Sequence, residues 1–153
     1  MASPPIRASN PFGRRSAKET PVSEFKKVTD DFFVSPQLSL DDVRDAKGRG
    51  FVLIINNRPD GEAPGQPSGA AIAAAAREAG LDYVYAPVVG RPSPEAIDSV
   101  RRAVDGSQGP VLAFCRSGTR SICAWALGRT DRMDSDELVR LGHAAGYDLS
   151  AIL

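Results

Sequence analysis

Cys115 is the residue of this chain best equipped to do chemistry. It opens the run Cys115-Arg116-Ser117-Gly118-Thr119-Arg120-Ser121, which gathers a thiol, two arginines, three hydroxyls and a glycine into seven positions. A reactive thiolate needs positive potential, hydrogen-bond donors and access to a substrate. Gly118 permits a backbone turn that points successive N–H groups inward as a nest for an anion. Arg120 can hold two oxygens of a tetrahedral anion with its planar fork, and Ser121 can donate a hydroxyl hydrogen bond to the thiolate as it departs. Arg116, Ser117 and Thr119 complete the expected anion-binding loop, with Arg116 pointing outward to bias substrate choice by charge. The bland alternative, a buried cysteine acting as a small apolar residue, leaves the arginines and hydroxyls unexplained.

The elements that must position this run are legible from pattern. Pro110 to Phe114 reads as a short buried strand ending at the cysteine, and a helix from Ser121 to about Leu127 follows. The cysteine then stands at the carboxyl edge of a sheet, facing the positive end of a helix dipole. Upstream, Phe32-Phe33-Val34 is a strand candidate, and Ser39 with Asp42 forms a variant capping box opening a helix to about Lys47. Phe51 to Ile55 reads as a strand covered on both faces. Ser68 caps an alanine-rich helix that ends at Gly80, its Ala70–Ala76 stretch suited to close helix packing. Tyr83 to Val88 is the next strand. Ser93 with Pro94 opens a helix through about Val104, and Ser135 and Asp136 start a C-terminal helix. Strands alternating with helices predict an α/β domain with a central, mostly parallel sheet flanked by helices.

One domain is expected, residues 28–153, preceded by a flexible basic arm over residues 1–27. The arm carries Arg7, Arg14, Arg15, Lys18, Lys26 and Lys27 against Glu19 and Glu24 and shows no apolar periodicity. Its prolines spoil an amphipathic transit helix. Nineteen basic residues balance 19 acidic ones, so overall charge points to neither nucleic acid nor an anionic membrane as partner. No apolar run reaches the length needed to span a bilayer. Two cysteines and no secretory signal are the pattern of a reducing, cytoplasmic setting with Cys115 as a free thiol. His143 is the only histidine and lies in the C-terminal segment, which argues against a local Cys–His dyad or a histidine-rich metal site. No metal or other cofactor is expected.

Beyond the cysteine run, Phe33-Val34-Ser35-Pro36-Gln37-Leu38, Ile54 through Glu62 (Ile-Ile-Asn-Asn-Arg-Pro-Asp-Gly-Glu) and Pro64-Gly65-Gln66-Pro67-Ser68 form a wider pattern. Together with Cys115–Ser121 it resembles the phosphatase-like domain of the beta-lactamase hydrolase-like protein family, over roughly residues 30–130. The resemblance implies a fold similar to dual-specificity phosphatases and a cysteine-dependent mechanism with Cys115, Arg120 and Ser121 catalytic. The cysteine run alone is also similar to the active-site loop of rhodanese sulfurtransferases.

Two features depart from the phosphatase pattern. Only four residues separate Cys115 from Arg120, one fewer than protein tyrosine phosphatases usually have, and Phe114 stands where such enzymes usually carry histidine. The loop Val88–Glu95, expected to hold the aspartic acid that protonates a leaving oxygen, has none; Glu95 reads as a first-turn helix residue. Asp60 can approach the same sheet edge as an alternative acid, or serve only the Pro-Asp-Gly turn. Arg58 shares that loop and can contact an anionic substrate or make an exposed salt bridge. Cys123 reads as a buried helix residue, with a disulfide to Cys115 as the alternative, and Trp125 as a core residue. Three functions follow in order of preference. The first is a phosphatase acting through a phosphocysteine on a small phosphorylated substrate or a phosphoprotein. The second is a sulfurtransferase carrying a persulfide on Cys115 and acting on a sulfur-containing substrate. The third is a non-catalytic oxyanion-binding or redox-sensing module.

Overall fold

The computed structural model describes residues 24–153. Its elements are β1 (Lys26–Thr29), β2 (Phe32–Ser35), α1 (Leu40–Gly48), β3 (Leu53–Asn56), α2 (Gly69–Ala79), β4 (Asp82–Tyr85), α3 (Pro94–Asp105), β5 (Val111–Phe114), α4 (Thr119–Leu127) and α5 (Ser135–Ala144). The strands form one sheet in the order β1-β2-β5-β3-β4. β1 runs antiparallel to β2, and the other pairings are parallel. This is a mixed α/β architecture with a mostly parallel sheet flanked by helices, as the pattern of elements predicts.

Strand period decides which helices cover which face. Phe32, Val34, Leu53, Ile55, Val111 and Ala113 point to one side, where they pack with Ile122 and Trp125 of α4, Val100 of α3 and Leu138 of α5. Ile54, Leu112 and Phe114 point to the other, against Val43 and Ala46 of α1 and Ile72, Ala75 and Ala76 of α2. Ala75 and Ala76 of α2 serve close packing, while Ala70 is exposed. Trp125 is a core residue, as its helix position predicts. Its indole stacks on Phe32 with ring centres 5.3 Å apart and planes 8° from parallel, which ties the helix after the cysteine run to the strand beside it.

Local signals explain most boundaries. Ser39 and Asp42 complete the reciprocal capping box, at 3.0 and 2.9 Å. Ser68 and Ser93 cap α2 and α3, and Gly80 ends α2 in the left-handed region at φ 83°.

Several boundaries differ from expectation. β3 begins at Leu53 rather than Phe51. β4 stops at Tyr85 rather than Val88: the Ala86 amide still donates to the Asn56 carbonyl, but the Val88 amide donates to the Asn57 carbonyl, which takes the pairing out of register. α4 begins at Thr119, two residues before the expected Ser121, because left-handed Gly118 serves as its N-cap. The arm expected to end at residue 27 gives its last two residues to β1; Lys26-Lys27 lacks the apolar alternation that marks a strand, and pairing with β2 makes it one. Phe25 packs edge-on against Phe51, and residues 1–23 of the arm lie outside the described residues.

Phe32 has no exposed surface and carries the contact that seats α4. Phe32→Ala is expected to destabilise the domain by about 3–5 kcal/mol, read as a lower urea midpoint with an unchanged m-value.

Candidate functional site

β5 lies between β2 and β3, with Phe114 in register with Ser35 on one side and Asn56 on the other. Cys115 is the next residue, so it leaves the sheet at its carboxyl edge, flanked by two other strand ends. It is fully buried, at the base of the loop that leads into α4. The Gly118 amide donates to its Sγ at 3.1 Å. Gly118 has φ +95°, and a Cβ there would collide with the Tyr147 hydroxyl. The turn requires glycine for both conformation and space.

The helix that follows is left open for an anion. α1, α2, α3 and α5 each receive a side-chain cap from Ser39, Ser68, Ser93 and Asp134 respectively. α4 has no such cap from its N-cap residue; the Thr119 amide is taken by Ser117 Oγ at 3.4 Å, and the rest of the helix's N-terminus is open toward the cysteine loop. The Ser121 hydroxyl is buried there with no hydrogen-bond partner. Ser117 and Thr119 are on the surface of the loop, bonded to each other through their hydroxyls at 3.0 Å. The Arg116 carbonyl accepts from the Gln37 amide at 3.2 Å, while its side chain is exposed.

Arg120 is held by a carboxylate that the residue types alone do not single out. Nη1 donates to Glu62 Oε2 at 2.7 Å and to the Val88 carbonyl at 2.9 Å, and Nη2 donates to Glu62 Oε1 at 2.9 Å. Glu62 takes the end of the guanidinium fork, and the charge it fixes in place lies within electrostatic reach of Cys115. Glu62 is fixed in turn by Arg58, whose Nε donates to Oε1 at 3.0 Å. Arg58 Nη1 reaches Gln37 Oε1 at 2.9 Å, and the side chain is only 5% exposed. Arg58 thus braces Glu62 from behind in a salt bridge that is buried on the arginine side, where an exposed one was expected.

The electrostatics follow from these contacts. The Arg120 fork, with help from Arg58, pulls the Glu62 carboxyl from its usual 4.5 down to about 2, against the opposing effect of burial. The same pairing pushes the Arg120 guanidinium up, so both are charged across the neutral range. Burial, and after it the negative charge of Cys115, push the Cys123 thiol up, with Arg91 opposing; both cysteines are free. Burial, then Cys115, raise Tyr147 to about 12, so its phenol remains a donor.

The remaining sequence candidates are placed as follows. Asp60 Oδ1 accepts from the Gly69 amide at 2.7 Å, and the Asp60 amide donates to the Tyr85 hydroxyl at 3.2 Å. Its carboxylate is engaged at the start of α2, nine residues on, while Asp60 and Gly61 themselves lie in a turn. Glu95 lies in the first turn of α3, and His143 in the last turn of α5. Among the described residues no group of three or more His, Cys, Asp or Glu side chains could hold a metal ion, and no helix is long and apolar enough to cross a membrane. Sequence reasoning assigned no role to Glu62, Gln37 or Tyr147. Glu62 stands four residues after Arg58, but in a loop that spacing carries no helical meaning. Tyr147, beyond α5, has no local signal at all.

Comparison with known proteins agrees with this architecture. Residues 24–131 match the family model described as "Beta-lactamase hydrolase-like protein, phosphatase-like domain". A beta-lactamase hydrolase-like protein of Xylella fastidiosa is 45% identical over 119 residues, covering 76% of this chain and 28% of the relative. The chain therefore spans little more than a quarter of that relative's length. A candidate phosphatase of Neisseria meningitidis, of known crystal structure, is 33% identical with a TM-score of 0.74, covering 83% of this chain and 92% of that one. At the level of fold alone, the crystal structure of kinase associated phosphatase with its catalytic-site cysteine changed to serine is similar. Its TM-score is 0.63 at 13% identity, covering 80% of this chain and 83% of that one.

Glu62 ties folding to acid. Its carboxyl is held near 2 when folded against 4.5 when free, so its contribution is complete above pH 4.5 and is lost as pH falls toward 2. Denaturant midpoints measured across that window should fall more steeply for the unaltered protein than for Glu62→Gln.

Proposed function

Because the chain belongs to the family of beta-lactamase hydrolase-like proteins through its phosphatase-like domain, we propose that it is a cysteine-dependent phosphatase acting through a phosphocysteine intermediate. The observation that carries this reading is the set of donors converging on Cys115: the Gly118 amide at 3.1 Å, the uncapped start of α4 and the guanidinium of Arg120. Such preorganised donors stabilise charge that develops on a transferring phosphoryl group.

In the proposed reaction Cys115 Sγ attacks phosphorus and the ester P–O bond breaks. Loop amides and the free side of Arg120 take the equatorial oxygens. Water then attacks phosphorus, the S–P bond breaks, and inorganic phosphate leaves. Ser121, whose buried hydroxyl has no other partner, stabilises the departing thiolate in this second step. Ser117 and Thr119 shape the loop, Arg116 biases substrate approach, and Arg58 and Glu62 act by positioning Arg120. The reading calls for no cofactor. The substrate is a small phosphorylated molecule or a phosphoprotein in the cytoplasm.

The general acid shapes the expected specificity. Glu62 is held ionised and so has no proton to give at neutral pH. Asp60 is engaged with the Gly69 amide. A leaving oxygen then departs with help from solvent alone, which favours substrates whose leaving groups need little protonation. Across a series of aryl phosphates, kcat/KM is expected to fall steeply as the leaving phenol becomes less acidic. A flat dependence would show that an acid acts after all, with Asp60→Asn the first variant to try.

A specific observation also favours a second reading. The short spacing from Cys115 to Arg120 suits a sulfurtransferase, in which Cys115 takes a sulfane sulfur and passes it to a thiol or cyanide. One preparation assayed with an aryl phosphate, and separately with thiosulfate plus cyanide, separates the two. Phosphate release that drops on the order of a thousandfold or more in Cys115→Ser, and on the order of a hundredfold in Arg120→Lys, is the expected result. Turnover of thiosulfate alone sinks the phosphatase assignment, and activity surviving Cys115→Ser sinks the nucleophile.

A further inference from the structure

Tyr147 lies in the segment after α5 and reaches the cysteine loop at Ser117. Its hydroxyl donates to the Ser117 carbonyl at 2.8 Å. The next atom along that peptide is the Gly118 nitrogen, whose N–H donates to Cys115 Sγ at 3.1 Å. The peptide is trans, so its C=O and N–H point in opposite directions from one rigid plane. One hydrogen bond on each end therefore fixes the rotation of the whole plane. Turning it away from Tyr147 would also turn the N–H away from sulfur.

The fit around this contact is close. A Cβ on Gly118 would stand 3.0 Å from Tyr147 Cζ and closer still to the hydroxyl, so the glycine lets the phenol reach the loop. The ring is held in place from β1, where Lys26 Nζ stands 5.0 Å from its centre. A hydrogen bond accepted by a carbonyl also polarises its amide and strengthens the N–H as a donor.

We propose that Tyr147 is a positioning residue for Cys115, acting through the Ser117–Gly118 peptide to aim and strengthen the N–H that stabilises the thiolate. The inference rests on Cys115 being the nucleophile. The Tyr147 phenol touches neither the sulfur nor the reacting atoms in this arrangement. It makes the C-terminal segment a working part of the site, though the segment lies beyond the residues matched by the family model.

Charged and titratable groups around the sulfur come from several elements. Arg120 and Cys123 belong to α4, and Arg91, in the loop before α3, is within electrostatic reach of Cys123. Glu24 is within electrostatic reach of Tyr147, and Lys26 stands over its ring. Tyr147→Phe leaves all of these in place and removes only the hydroxyl.

The test follows Cys115 ionisation by NMR of cysteine labelled with carbon-13 at Cβ, with Cys115→Ser identifying the resonance. In Tyr147→Phe the titration step is expected about half to one pH unit higher than in the unaltered protein, the size set by losing one hydrogen bond's stabilisation of the charged form. On an aryl phosphate, kcat should fall about three- to tenfold at a pH below that step, with little change in KM. Fluorotyrosine at position 147 alone keeps the ring and strengthens the hydroxyl as a donor, so it should move the step downward; it serves also if Tyr147→Phe does not fold. A step at the same pH in the folded variants overturns the role of Tyr147. Turnover that survives Cys115→Ser overturns instead the nucleophile on which it rests.

Discussion

A single carboxylate, Glu62, fixes the arginine that faces the buried thiol, and the rest of the site is arranged around that constraint. Its two oxygens occupy Nη1 and Nη2 of Arg120, so the guanidinium keeps one orientation. Arg58, itself 5% exposed, prevents Glu62 from swinging away. An exposed ion pair contributes little to stability, but this one is partly buried, forked and braced. Its value lies in geometry, since a long flexible arginine gains a defined direction before any ligand arrives. The same contacts withdraw Glu62 from proton transfer by holding it ionised, which is why the absence of an aspartate between Val88 and Glu95 matters for the reaction.

The sheet supplies the frame. β5 lies between two parallel neighbours, so three strand ends meet where Cys115 emerges, and the loops after β2 and β3 bring Gln37, Arg58 and Glu62 to one edge. α4 is pinned to the sheet by Trp125 stacked on Phe32. That contact aims the open end of α4 at the sulfur. A cap on this helix would satisfy the very N–H groups an anion needs, and a glycine stands where the other four helices have serine or aspartate caps.

Much of this was legible residue by residue. The capping box at Ser39, the serine caps at Ser68 and Ser93, the C-terminal glycine of α2 and the apolar run before Cys115 are local signals, because each depends on neighbours within one helical turn or one strand. The cysteine run declared itself by composition. Where local reading failed, the deciding partner stood in another element or loop position that no periodic pattern marks. Lys26-Lys27 becomes a strand only by pairing with β2, and Arg58 pairs with Glu62 and Gln37 because burial there demands compensation for its charge.

By itself, the sequence determined the order of elements from β2 onward, the α/β class and the thiol–glycine–arginine loop with its donor types, since these follow from periodicity, capping and short-range spacing. Tertiary structure alone decided which groups complete that loop. Glu62 meets Arg120 across 58 positions, and Tyr147 meets Ser117 across 30, joined only because the sheet order and the packing of α5 bring distant segments to one edge. Hydrogen-bond partners at such separations leave no periodic trace in the chain, and the direction of a guanidinium or a peptide plane exists only once they are in place.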